Sequence, residues 1–445
     1  MSLLARSLSE NRRTLALASP IIAGYVGQML MGWADTIMVG RVGVIPLAAC
    51  AFANTVLAVP LVFGFAVLSS VSVRASLAFG AGRARISGEA LRAGLVVAGV
   101  LGISVAVAIH AALPLLPWLG QGDEINAACK NFLLLCSWSA LPVFLTTAAK
   151  NFCEALFRPW VPFWIMIAGV LLNVGLNWIL IYGNLGAPAM GLDGAGVATL
   201  LARVAVAAAI IVYMLLAPAL KDGLPVNWLA IGLIAEMRRL LAIGLPTGGM
   251  HLAEVSGFAF GSLMMGWLGA GALAAHQIAI TCAATTFMIP LGLSQAVSVR
   301  IGQARGAGEE RRYLPIILGA LGTAVLIMAI FAVTFMSAGA TIAAWFVTNA
   351  AVTALAAQLL LVAGFFQIFD GIQITSSGAL RGFEDTRAPM FIGVLSYWLV
   401  ALPISYLCAF KLGFGPRGIW FGFVTGLALA ATALVARLLL RVRHV

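Results

Sequence analysis

The sequence predicts an all-α polytopic membrane protein with twelve transmembrane helices in two six-helix lobes. Three observations predict it: long apolar segments, basic residues that gather in alternate loops, and an internal duplication. The chain has 445 residues, of which 62% are hydrophobic and only 9% are charged. Soluble domains carry about 25% charged residues. This composition excludes an ordinary soluble protein and points to a chain that resides in a lipid bilayer.

A transmembrane helix needs about 20 mostly apolar residues. Twelve segments meet this requirement, and boundaries read from sequence are uncertain by about four residues. The first segment is too long for the core of a signal peptide and lacks a small-residue cleavage site, so we interpret it as a retained span. The predicted spans are 15–38, 45–70, 92–115, 128–149, 161–182, 193–216, 240–266, 272–298, 313–337, 352–378, 388–410 and 418–440.

The basic residues orient the predicted spans. With the N-terminus placed in the cytoplasm, 21 of the 26 Lys and Arg residues fall on the cytoplasmic side, as the positive-inside rule requires. With twelve spans, both termini are then cytoplasmic. The net charge of +11 therefore reflects membrane topology, and we expect no nucleic-acid partner.

An internal duplication divides the chain. With a shift of 226 residues, 40–82 aligns with 266–308 without a gap, and 16 of the 43 positions are identical. An even number of spans separates the two copies, so they are parallel repeats about an axis along the membrane normal. We expect an N-lobe (1–225) and a C-lobe (226–445). Two such lobes enclose a cleft, and rocking one against the other gives alternating access.

Three carboxylates lie inside predicted spans: Asp35, Glu254 and Asp370. An acid at the centre of a membrane helix costs about 3 kcal/mol on insertion scales, and such residues usually mark ion or proton pathways. Gln28 shares a helical face with Asp35, and it is also the counterpart of Glu254 under the duplication, so the lobes differ in charge there. The alternative for Asp35 is an interfacial residue that ends the first span.

Asp370 belongs to a polar stripe on the tenth span that also contains Gln367, Gln373 and Ser377. Carboxylate, amide and hydroxyl oxygens suit a hard cation such as Na⁺. Because burial disfavours the charged form of a carboxylate, the same acid can instead carry a proton. For Glu254 and Asp370 the alternative is structural pairing with a buried base.

Other polar residues have weaker patterns. Asn173 and Asn177 are four residues apart in the fifth span and either line a polar cavity or bond between helices. Arg203 either neutralises an acid or bonds to backbone carbonyls, and His251 and His276 fit packing better than ligation. The six cysteines show no C-x-x-C pair and fit packing; they are Cys50, Cys129, Cys136, Cys153, Cys282 and Cys408.

Several segments together resemble the multidrug and toxic compound extrusion (MATE) family, and within it the NorM-like branch. The resemblance covers nearly the whole chain. The segments that carry it are Ala34-Asp35-Thr36-Ile37-Met38-Val39-Gly40-Arg41, Ala274-Ala275-His276-Gln277-Ile278, Pro290-Leu291-Gly292-Leu293-Ser294-Gln295-Ala296 and Gly378-Ala379-Leu380-Arg381-Gly382 with Asp385-Thr386.

The resemblance implies a V-shaped pair of lobes in a bacterial inner membrane that exports organic cations by Na⁺ or H⁺ antiport, as a monomer without a cofactor. Glu254 and Asp370 match the C-lobe cation-site acids of the branch, where monovalent Na⁺ would bind, and Asp35 matches the N-lobe acid. Pro20 matches a proline about which the first helix bends in proton-coupled relatives. Some of those relatives have an Asp where this chain has Asn177, which favours the C-lobe acids as the coupling site.

Other functions fit less well. A lipid-linked precursor flippase of the same broad superfamily is the nearest alternative, but such flippases often hold a diphosphate in a strongly basic cavity, whereas the intramembrane charges here are three acids and Arg203. An intramembrane protease would need G-x-G-D inside a span, G-x-S-G or H-E-x-x-H; G-x-G-D occurs once, at 120–123 between two predicted spans, and the other two motifs do not occur, so we expect no enzyme. No P-loop is present for ATP-driven transport, and parallel lobes in one chain argue against a channel.

Overall fold

The computed structural model describes residues 3–120, 122–225, 228 and 232–443, and no β-strand occurs among them. Nearly all of these residues are helical. The α-helices are α1 (Leu3–Gly40), α2 (Val44–Gly80), α3 (Ala84–Ala112), α4 (Asp123–Trp138), α5 (Ala140–Ala155), α6 (Trp160–Tyr182), α7 (Gly191–Leu216), α8 (Leu233–Trp267), α9 (Ala270–Gly306), α10 (Tyr313–Ala344), α11 (Ala350–Gly382), α12 (Arg387–Val394), α13 (Leu402–Tyr406) and α14 (Pro416–Arg443).

All twelve predicted spans lie in helical segments, which confirms the predicted fold class. In the described part of the chain, eleven segments are long and apolar enough to cross a membrane. The remaining long helix is α8, at the seventh predicted span, and it has 35 residues. It carries the polar residues His251 and Glu254 in its middle.

Two spans are not single regular helices. The fourth consists of α4 and α5, which meet at Ser139. In the eleventh, a π-helical segment (Leu395–Ala401) joins α12 to α13, and a second one (Leu407–Lys411) follows α13. A π-helical turn holds an extra residue and is frequent at functional sites, since it changes the face on which the following side chains lie. Sequence periodicity did not predict either feature.

The duplication is visible in the backbone. Helix α2 begins and ends 226 residues before α9. The glycines that follow these helices match too, since Gly82 has φ of 68° and Gly308 has φ of 70°. These angles lie in the left-handed region, which glycine adopts without the steric cost that a Cβ brings. The two repeats therefore share helix lengths and the conformation of the turns that end them.

The described helices pack into two compact units. The N-unit is Ala23–Gly244, and the C-unit is Met1–Ile22 together with Leu245–Val445. The unit boundaries therefore fall inside α1 and α8, close to Pro20 and Pro246, whereas the predicted lobes divide between 225 and 226. Val226, the predicted first residue of the C-lobe, lies outside the described residues. The first helix of each repeat begins in one unit and ends in the other.

Ion contacts hold the beginning of each of these two helices. In the C-unit, Glu10 of α1 contacts Arg300 of α9 and lies 3.0 Å from Nε of Arg312. In the N-unit, Glu236 of α8 lies 2.8 Å from Nε of Arg74 in α2 and 3.2 Å from Nη1 of Arg239. Each contact thus fixes the start of a repeat's first helix within the unit that contains most of the other repeat.

Helix α11 is central to the C-unit, where it packs against α9, α10 and α14. Glycines allow the closest approach: a Cβ added at Gly382 would lie 2.7 Å from the carbonyl oxygen of Ser298 in α9. Small residues at such crossings let membrane helices pack tightly. This packing buries the polar stripe of α11, including Asp370.

Candidate functional site

Two buried carboxylates lie together in the C-unit. Glu254, on α8, and Asp370, on α11, are 7% and 3% exposed. The two groups interact electrostatically. The structure therefore brings together the two C-lobe acids that the sequence predicted as a pair. Two like charges in one apolar site are costly unless a cation or a proton joins them.

Glu254 is held through both of its carboxylate oxygens. The hydroxyl of Tyr397 donates to Oε1 over 3.0 Å, and Nδ1 of His251 lies 3.3 Å from Oε2. The Tyr397 hydroxyl also lies 3.3 Å from Oε1 of Gln373. Because the hydroxyl has a single proton, it donates to one of these two acceptors at a time. Tyr397 therefore links Glu254 to the polar stripe of α11.

Sequence reasoning missed Tyr397. The residue is fully buried, and its ring packs edge-on against Phe258 at 5.8 Å. It lies in the π-helical segment Leu395–Ala401, whose neighbouring Trp398 donates to Ser256 on α8. A buried tyrosine usually finds a hydrogen-bond partner for its hydroxyl. This rule marks Tyr397 as a candidate, but only the structure identifies its partner.

Some polar atoms of the α11 stripe that contains Asp370 lack a hydrogen-bond partner. Gln367 donates through Nε2 to the hydroxyl of Thr286 on α9, a second contact that the sequence did not reveal. Oε1 of Gln367 and Nε2 of Gln373 are buried and have no partner among the described residues. Asp370 itself receives no hydrogen bond from them. Buried polar atoms are normally paired, so the Gln367 oxygen is free to coordinate a cation or to accept from water, and the Gln373 N–H is free to donate to water.

A second polar network occupies the N-unit. Asn177 of α6 donates to Oδ1 of Asp35 over 2.5 Å and lies 3.2 Å from Oδ1 of Asn173. Asn173 in turn donates to Thr199 of α7 over 3.4 Å. Both asparagines are fully buried. Asp35 thus lies within α1 and bonds to an amide of a neighbouring helix, and the two asparagines predicted for a polar cavity belong to its network.

Arg203 interacts electrostatically with Asp35, as one of its two predicted roles required, and the other remaining predicted residues contact different partners. Arg203 donates to the Ser139 hydroxyl over 2.6 Å, at the junction of α4 and α5, a partner that sequence reasoning did not consider. Gln28 is exposed on α1, and Pro20 is buried within the same helix. His276 accepts a hydrogen bond at Nδ1 from Trp420, and its Nε2 lies 3.1 Å from the Ser262 hydroxyl. Both ring nitrogens therefore have a hydrogen-bond partner within the protein.

One buried ion pair was not anticipated. Lys150 of α5, which the topology count assigned to the cytoplasmic side, donates to Glu154 over 2.9 Å, and the two residues are 7% and 1% exposed. The ammonium group also lies 4.9 Å from the centre of the Tyr25 ring. The i, i+4 spacing was the available signal. The pair neutralises itself within the N-unit.

Comparison with known proteins identifies the family. The MatE family model matches residues 20–179 and 246–407, once in each repeat. A protein of Agrobacterium fabrum called probable multidrug resistance protein NorM is 33% identical over 448 residues, covering 98% of this chain and 95% of that protein. A protein of the same name from Pseudomonas putida is 35% identical and covers 96% of this chain and 93% of its own.

The fold is also that of a solved transporter. A eukaryotic MATE transporter superposes with a TM-score of 0.90 at 19% identity, covering 98% of this chain and 96% of the other. At this identity the likeness shows the shared fold alone. The two family matches and the full-length relatives confirm the resemblance seen in the sequence. This multi-pass membrane protein belongs to the MATE family of transporters.

Proposed function

We propose that this chain is a cation-coupled antiporter that exports organic cations, including drugs and toxic compounds, by alternating access. The observation that carries the proposal is the buried pair of acids, Glu254 and Asp370, in the C-unit. The curated relatives bear the name of multidrug resistance proteins, which supports the same substrate class. A transporter for anionic substrates would instead need buried basic groups at this place.

In this proposal Glu254 and Asp370 bind the coupling cation, Na⁺ or H⁺. Tyr397 and His251 hold the Glu254 carboxylate in position, while Asp370 and the amide oxygen of Gln367 complete an oxygen-rich site. Carboxylate and amide oxygens are suitable ligands for hard cations. A carboxylate that is buried among apolar residues also binds a proton readily. No further cofactor is needed.

Coupling follows from linkage. An ion shifts a conformational equilibrium only by the difference in its affinity for the two states. Two carboxylates without a cation repel each other and disfavour a closely packed site, whereas an occupied site tolerates burial. Ion binding therefore favours one conformation and ion release favours the other. In this scheme the Asp35, Asn173 and Asn177 network of the N-unit has an auxiliary role, in contact with substrate or with a second ion.

The proposed location is a bacterial inner membrane with both termini in the cytoplasm. The asymmetry of 21 basic residues on one side against four on the other supports this orientation. In that orientation the starts of α1 and α8 lie at the cytoplasmic surface. We propose a monomer as the functional form, since one chain contains both repeats.

Ethidium efflux from energised membrane vesicles tests the proposal, with a Na⁺ gradient and a pH gradient imposed separately. Wild type is compared with Glu254→Gln and Asp370→Asn. The matched controls are Glu124→Gln and Asp222→Asn, which make the same chemical changes at exposed positions. The expected result is efflux that one gradient drives, that both buried variants reduce at least tenfold, and that both controls retain. Efflux that neither gradient drives in wild type rejects antiport.

A further inference from the structure

A groove lies on the surface of the C-unit between α11 and α14, and its α11 wall ends at Phe365, five residues before Asp370. Its volume is about 250 Å³. Apolar side chains form most of its walls, and two polar side chains stand at one end. The residues that line it are Gln358, Leu361, Val362, Phe365, Arg417, Phe421 and Val424.

The apolar part of the groove faces outward from two membrane-spanning helices. Leu361 and Phe365 are 49% and 52% exposed, and Phe421 is 38% exposed. Such exposure on a span is compatible with contact to lipid chains. From Gln358 to Phe365 the groove follows about 10 Å of helix, a length that accommodates the upper part of an acyl chain.

The polar end of the groove carries a positive charge. Nε and Nη2 of Arg417 donate to Oε1 of Gln358 over 3.0 and 2.6 Å. This partner is a neutral amide, and no carboxylate in the described part of the chain forms an ion pair with Arg417. Arg417 is the second residue of α14, whose first turn contains no acidic residue. The positive end of the helix dipole therefore adds to the charge of the guanidinium.

The surrounding sequence offers nothing to neutralise this charge. No Asp or Glu occurs between Glu310 and Asp370, which covers α10 and the first part of α11, and none occurs after Asp385. At this end of α14 the sequence instead supplies a second basic residue, Lys411. A zwitterionic headgroup would bring an ammonium or choline group to a site without an acid. The charge complementarity favours a headgroup with a net negative charge.

We propose that this groove binds an anionic phospholipid, with its phosphate at Arg417 and one acyl chain along Leu361, Phe365 and Phe421. In the proposed orientation the lipid belongs to the outer leaflet. Gln358 positions the guanidinium fork, whose remaining donors meet the phosphate oxygens. Binding joins α11 to α14 on the lipid-facing side and therefore stabilises the C-unit. The site does not depend on the coupling function.

The test uses the purified full-length chain in a neutral detergent. Phosphatidylglycerol, phosphatidylcholine with the same acyl chains, and inorganic phosphate are titrated separately. Bound lipid is counted by native mass spectrometry, and thermal unfolding is followed in parallel, because a ligand of the native state raises the melting temperature. The expected result is that phosphatidylglycerol binds at least tenfold more tightly than phosphatidylcholine and that free phosphate has no effect.

Two variants test whether the positive charge of Arg417 is required for lipid binding. Arg417→Gln removes the cation, and Gln358→Glu retains it but places a carboxylate beside it. Each is expected to weaken phosphatidylglycerol binding at least tenfold, since a charge-assisted hydrogen bond is lost or replaced. Arg41→Gln, at an exposed basic residue in the N-unit, serves as the matched control and retains binding. Equal affinity for the two lipids, an equal response to free phosphate, or unchanged binding in both variants overturns the proposal.

Discussion

The two repeats retain the same charges where their first helices begin and differ in charge where those helices cross the apolar core. Glu10 and Glu236 are 226 residues apart, and so are their partners Arg300 and Arg74. The buried acids do not follow this rule: Glu254 corresponds to Gln28, and Asp35 corresponds to Gly261. Charges that anchor the helices have been kept in both copies, whereas charges suited to ion binding are specific to one copy.

The anchoring contacts connect one repeat to the other. Glu10 belongs to the first repeat and Arg300 to the second, yet both lie in the C-unit. The same relation holds for Glu236 and Arg74 in the N-unit. Arg74 and Arg300 each end a Val-Ser-Val-Arg segment, at 71–74 and 297–300, and each arginine therefore fixes the first helix of the opposite repeat. The recurrence of this segment at the 226-residue offset thus coincides with an equivalent ion contact in each repeat.

Of the two ion contacts, Glu10 with Arg300 and Glu236 with Arg74, the first is expected to contribute more to stability. Arg300 is 1% exposed, so Glu10→Gln leaves a buried guanidinium without its acid, at a cost of about 3 kcal/mol. In the N-unit, Arg74 and Arg239 are 15% and 64% exposed, so solvent compensates Glu236→Gln and the cost is about 1 kcal/mol. Thermal unfolding in detergent measures both.

Glu309→Gln is the control for this pair, because Glu309 is 47% exposed and pairs with Arg312 at the surface. It is expected to unfold like wild type. An equal loss of stability in Glu10→Gln and Glu236→Gln would show that burial does not distinguish the two anchors.

A smaller effect is expected from Tyr397→Phe in the C-unit. The change removes the hydroxyl that donates to Glu254 and leaves the ring in place. A hydrogen bond to a charged group contributes about 1.5 kcal/mol, so the ion concentration for half-maximal efflux should rise about tenfold. The maximal rate should change less. Tyr406→Phe, at a residue 46% exposed, should leave both values unchanged. A lower maximal rate with an unchanged ion requirement would contradict this role.

The smallest effect is expected from Asn177→Ala in the N-unit. The variant removes the amide that donates to Asp35 and to Asn173, with a cost of about 1 kcal/mol for Asp35 positioning. Efflux should fall two- to fivefold and remain driven by the same gradient. Asn131→Ala, which alters an exposed amide bonded to Asp193, is the comparison variant. A complete loss of efflux in Asn177→Ala would indicate that the main coupling site lies in the N-unit.

The sequence predicted the membrane spans, the duplication and the three acids, because each depends on local patterns of apolarity and charge. It did not predict which groups meet. The contact of Tyr397 with Glu254 joins residues 143 positions apart and depends on a π-helical segment that periodicity does not reveal. The pairing of Glu10 with Arg300 spans 290 positions. Long-range pairings of this kind are set by the packing of helices.

The unit boundaries were also beyond sequence reasoning. The predicted lobes divide between residues 225 and 226, whereas packing divides α1 after Ile22 and α8 after Gly244. Hydropathy marks where a helix lies in the bilayer but not which neighbours it packs against. The duplicated acids Glu10 and Glu236, each ahead of a proline inside the same helix, were the available sign of this division.

The most direct test of the central claim is ion displacement by substrate in the purified chain. Ethidium is added to protein in weakly buffered solution, and released protons or radioactive Na⁺ are counted. Because linkage is reciprocal, a substrate that competes with the coupling ion must release it. Release is predicted in wild type and Asp35→Asn and is predicted to be absent in Glu254→Gln and Asp370→Asn. Release that persists in both C-unit variants and disappears in Asp35→Asn would contradict a coupling site at Glu254 and Asp370.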